Sequence, residues 1–98
     1  MSAGAMQHSE SSDPSGQHVG TVSHDGRFWD VYLDFDDDPR RPEAYRGFLS
    51  FSPADAAEDE SPVRTGTIII EPSFEEAVRK ARSFEDHQLV GFLRSALP

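Results

Sequence analysis

Three aspartates at alternate positions, Asp34, Asp36 and Asp38, form the most chemically suggestive spacing in the sequence. Alternate carboxylates open a calcium-binding loop because they converge on one ion. The rest of that motif is missing: Pro39 stands sixth, where glycine makes the turn, and Tyr45 twelfth, where a bidentate glutamate closes the site. A solvated loop partly neutralised by Arg40 and Arg41 is therefore the expectation. Metal or small-ligand binding, or a small acid-base enzyme, on Asp34 to Asp38 is the alternative function.

Other reactive residue types are poorly placed. His8, His18, His24 and His87 are the only imidazoles, and no two share the spacing of a metal-ligand pair. Ser23, His24 and Asp25 are the residue types of a hydrolytic triad, yet one tight turn cannot aim all three at a carbonyl. Glu75 and Glu76 already have a structural role at a helix start. There is no phosphate-binding glycine loop, nucleophile elbow or dinucleotide fingerprint. With no cysteine, thiolate catalysis, disulfides and Cys-ligated zinc are excluded. No catalytic residue, cofactor or metal site is expected.

A surface is the better candidate. If the helices described below cover the side of a sheet carrying Trp29, Val31, Leu33 and Phe35, then Phe28, Tyr32 and Phe48 point the other way, beside Arg46. Aromatic side chains with arginine are enriched where proteins bind one another. The same pattern also suits cross-strand neighbours that merely stabilise a half-exposed sheet.

These side chains need a scaffold, and 98 residues with 36% hydrophobic content supply one small domain. Residues 1–16 have no apolar periodicity to offset their ordering entropy and are expected to be a disordered tail before a domain over 17–98. Residues 17–36 read as a β-hairpin around the turn signal Asp25-Gly26, with Trp29, Val31, Leu33 and Phe35 alternating against Phe28, Asp30, Tyr32 and Asp34. Pro39 and Pro42 mark a loop. Tyr45, Gly47, Leu49 and Phe51 then alternate with Arg46, Phe48, Ser50 and Ser52 in a third strand ended by Pro53. An acidic connection leads to a fourth strand over 64–71, whose consecutive Ile68, Ile69 and Ile70 suggest cover on both faces or a central position.

Two helices complete the chain, one kinked helix being the alternative. Ser73 is the expected N-cap of the first, with Glu76 completing a capping box. Glu75 with Arg79 and Glu76 with Lys80 are spaced as i,i+4 pairs. Ser83 and Asp86 suggest the start of the second, whose apolar face includes Leu89, Phe92, Leu93 and Ala96 or Leu97 and is expected to complete the domain's own core. Gly91 there costs about 1 kcal/mol relative to alanine, which points to a close contact.

Charge narrows the partners. Eighteen acids against nine bases give a net charge of -9, which opposes nucleic acid and anionic membranes. Residues 73–98 are neutral, so the whole excess lies in residues 1–72, where 14 acids face five bases. Only Lys80 is lysine among the nine bases, and such an acidic, lysine-poor surface suits salt adaptation. With neither a signal-peptide pattern nor an apolar run of membrane-spanning length, a soluble cytoplasmic protein is expected.

The sequence thus predicts an α+β fold, a two-layer domain whose mostly antiparallel four-stranded sheet carries two C-terminal helices on one face. The expected function is a non-enzymatic protein-protein interaction domain, monomeric or weakly homodimeric, using Phe28, Tyr32, Phe48 and Arg46. A homodimeric structural protein joined through the same face is a further alternative.

Overall fold

The computed structural model describes residues 16–36 and 44–98. The expected tail up to Ser15, and the proline loop with Asp37 and Asp38, lie outside the described residues. What is described is an α+β arrangement: strands β1 (Gln17–His24), β2 (Arg27–Asp36) and β3 (Tyr45–Pro53), short strands β4 (Val63–Arg64) and β5 (Ile69–Glu71), then helices α1 (Phe74–Arg82) and α2 (Asp86–Ala96). The sheet runs β1-β2-β3-β4 with β5 also on β3, and every pairing is antiparallel. Among the described residues no helix is long and apolar enough to cross a membrane.

The hairpin forms where the sequence places it. Asp25 and Gly26 both take positive φ, 56° and 79°, as a two-residue turn matching the twist of its strands requires. Aspartate tolerates that region better than most side chains, and glycine does so without penalty. Pairing of β1 with β2 shifts register between His18 and Gly20. This bulge lets Val19 reach the core beside its inward neighbours.

The expected fourth strand is broken into β4 and β5. Gly47 pairs with Ile69 and Ser50 with Arg64, so two residues of β3 face the four-residue stretch 65–68. The ladder survives the interruption because Leu49 N–H donates to Thr65 Oγ1 at 3.0 Å. Thr65 N–H in turn donates to the Leu49 carbonyl, and Ile68 N–H to that of Gly47, both at 2.9 Å. Nor is this segment covered on both faces: Ile69 is buried, but Ile70 is 57% exposed on the opposite side. The isoleucine run belongs to a sheet margin, where β3 is the one paired strand among the described residues.

Both helices pack on the side of the sheet that carries Trp29, Val31, Leu33, Leu49 and Phe51. Ala77 and Ala81 of α1 meet Leu33 and Ile69, while Leu89 and Leu93 of α2 meet Val22, Trp29, Val31, Leu49 and Phe51. Val19, Ile68 and Phe84 pack against both clusters. Burying each large apolar side chain here contributes about 1.5–3 kcal/mol. Phe35, the last inward residue of the alternating run, is only half-buried and meets Tyr45 and Phe74 at ring-centroid distances of 5.7 and 5.6 Å.

Capping follows the sequence at one helix and departs from it at the other. Ser73 Oγ accepts the Glu76 N–H at 3.1 Å and starts α1 as expected, while the reciprocal capping box expected there is made at α2 instead. Ser83 instead ends α1, its hydroxyl donating to the Lys80 carbonyl at 2.7 Å. The N-cap of α2 is Glu85, whose N–H donates to Gln88 Oε1 at 2.8 Å. Phe84 intervenes because it must turn inward to reach both core clusters. Gly91 accommodates no close contact: a β-carbon there would meet nothing within 4 Å.

Candidate interaction surface

With one face of the sheet under helices, strand alternation sends the other set of side chains outward. The register brings three of the four anticipated residues into one region. On β3, Arg46 and Phe48 are successive outward residues, and Ser50 beyond them pairs with Tyr32 of β2. Tyr32 is therefore the diagonal neighbour of Phe48 across the strand pair. Phe28 lies four residues along β2 from Tyr32, about 13 Å away at the rise of an extended strand. It is 63% exposed and beyond Asp30, outside the central cluster.

The region contains two residues that alternation alone did not single out. The Arg64 guanidinium lies 5.8 Å from the Phe48 ring centroid, a cation-π contact worth about 0.5–1 kcal/mol at an exposed site. Ile70 pairs with Arg46 and extends the apolar surface towards the sheet margin. Its outward direction was available from period two once Ile69 is placed inward. That of Arg64 depends on the shift of register in residues 65–68, which has no local sequence signal.

Polar contacts organise the β1 side of the same face. Asp30 Oδ1 accepts the Thr21 hydroxyl at 2.9 Å and lies 3.4 Å from His18 Nε2. The His18 ring stands edge-on to Tyr32 at 5.3 Å between centroids. Among the described residues Arg46 Nε is buried and has no hydrogen-bond partner.

The reactive residue types remain apart. Ser23 pairs with Phe28, while the His24 carbonyl accepts the Trp29 indole N–H at 3.3 Å. Their positions belong to the architecture of the hairpin turn. Asp34 and Asp36 lie on the outward side of β2, opposite Phe48 and Arg46. Thr67 Oγ1 donates to Asp36 at 3.4 Å. Among the described residues no group of three or more histidines or acids could hold a metal ion.

Beyond the sheet, Arg27 secures the acidic connection. Its guanidinium reaches Glu60 at 2.9 Å and Asp55 at 2.9 Å while lying 5.5 Å from the Trp29 ring centroid. The Arg27 hydrogen bonds, followed by the Ala57 N–H, hold the Glu60 carboxyl below its ordinary value of 4.5. No family model, curated protein or solved structure matches the chain.

Proposed function

We propose that this chain is a non-enzymatic interaction domain that binds another protein through the outer face of its sheet. The observation carrying this reading is the grouping of Tyr32, Phe48 and Arg46 on the face opposite both helices, continued by Ile70 at 57% exposure and flanked by Phe28 at 63%. Aromatic and apolar side chains supply contact area, while arginine supplies directed hydrogen bonds, the combination common at binding hot spots. Phe28 and Ile70 contribute little to the core at these exposures, so their presence outside it favours contact with a partner.

The test is retention of a partner from native lysate at native salt, compared between the unmodified chain and Phe28→Ser, Ile70→Ser and Tyr32→Ser. Loss of the same retained protein with an unchanged circular dichroism spectrum is expected for Phe28→Ser and Ile70→Ser. Retention indifferent to these changes rejects the assignment of the face. A doubled mass in sedimentation that both substitutions abolish assigns the face to a second copy, the homodimeric alternative.

A further inference from the structure

We infer a second binding site, distinct from the outer sheet face, in the groove beside α1: it takes an acidic, apolar peptide segment of a partner protein. The groove has a volume of about 600 Å³ and runs between the start of β1 and one side of α1. Gln17 stands on the strand side; Phe74, Val78, Arg79 and Arg82 line the helix side, with Glu75 as the one acid. Phe74 is 41% exposed despite its ring contacts with Phe35 and Tyr45. An apolar floor thus lies open beside two cations.

Those cations are what specify the occupant. Glu75 and Arg79 have the spacing of an ion pair, but among the described residues neither Arg79 nor Arg82 forms one. Among the described residues Arg82 makes one hydrogen bond, at 3.4 Å to the His18 carbonyl, out of the five that a guanidinium can donate. Within the groove two guanidiniums face one carboxylate on a chain of net charge -9, and on its far side Arg79 borders Glu71, Glu76 and Lys80. A carboxylate satisfies such donors in pairs, whereas a basic segment is repelled here and drawn to the loops instead.

The neighbouring strand favours a peptide. Among the described residues β1 pairs only with β2 and forms one margin of the sheet. Its eight residues, QHVGTVSH, contain no proline, lysine, arginine or acid, so the bulge at Val19 and the Arg82 guanidinium on the His18 carbonyl are what limit strand addition there. An extended segment fits between Gln17 at the start of β1 and the exposed side of α1, with its alternate side chains turned into the groove. Large apolar residues at those positions meet Phe74 and Val78, and carboxylates meet Arg79 and Arg82.

The test titrates the full chain with an octapeptide of alternating Glu and Leu, following backbone amides and arginine side chains by NMR. Saturable shifts at Gln17, Val78, Arg79 and Arg82 are expected, with weaker binding at higher salt. Alternating Lys-Leu and Glu-Ser octapeptides should bind about tenfold more weakly, as should the Glu-Leu peptide to Arg79→Gln/Arg82→Gln. These arginines are exposed, so the double variant should keep its melting temperature; Arg79→Lys/Arg82→Lys should recover part of the affinity. Equal binding of Lys-Leu, shifts confined to the outer sheet face, or no saturable shift overturns the inference. So do nuclear Overhauser contacts from Val78 to residues 1–15, or groove shifts that depend on protein concentration without peptide, which assign the groove to the chain itself or to a second copy.

Discussion

The Thr65 hydroxyl stands in for a backbone carbonyl: it accepts the Leu49 N–H at 3.0 Å and donates to the Gly66 carbonyl at 2.7 Å. Leu49 is completely buried, so its amide has no water to turn to. Thr65→Val should destabilise the domain by about 1–3 kcal/mol, whereas Thr65→Ser should stay within about 1 kcal/mol of the parent. Urea unfolding checks this through the midpoint at constant slope. Equal stability of Val and parent would show that the margin re-forms without the hydroxyl.

Acid should release the connection between β3 and β4. The folded-state carboxyl of Glu60 is depressed, chiefly by Arg27, so its stabilisation is complete above its unfolded value and disappears as pH falls through the folded one. In Glu60→Gln that part of the acid sensitivity should be absent, leaving a flatter stability profile below pH 4.5. Parallel profiles for variant and parent refute the assignment.

Gly91 is an opportunity for stabilisation. It sits inside α2 with open space where a β-carbon would project. Gly91→Ala should therefore gain about 0.5–1 kcal/mol by reducing the freedom of the unfolded chain. A raised melting temperature is the expected reading, and a lowered one shows a contact that the open space conceals.

Salt should stabilise the domain. With net charge -9, screening of repulsion among its acids should outweigh weakening of the exposed Arg27 pairs, each worth little at a surface. The melting temperature should climb from low to molar sodium chloride. A flat response would leave the acidity unexplained by salt adaptation.

The sequence made the hairpin legible because both of its signals are local: period two through Trp29, Val31 and Leu33, and a turn whose residues accept positive φ. Leu89 and Leu93 were legible as core for the same reason, since helical spacing sets their common side. The break between β4 and β5 was not. Three adjacent isoleucines carry no period, and the interruption depends on Thr65 meeting Leu49 sixteen residues away. The second helix start was misplaced at Ser83, which has the residue type of an N-cap but closes α1, because Phe84 packs inward and leaves Glu85 to cap α2. At the outer face, alternation placed Tyr32, Phe48 and Arg46 on one side, while cross-strand register separated Phe28 from them. The groove beside α1 was invisible because spacing permits Glu75 to reach Arg79 without obliging it to do so.

Val19, Ile68 and Phe84 have a consequence for how the domain comes apart. Each touches the packing beneath α1 and also that beneath α2, so these three side chains act as keystones shared by two vaults. Loosening either vault unloads the other. Amide exchange from Leu33 beneath one and Phe51 beneath the other should consequently proceed in step, through a single opening.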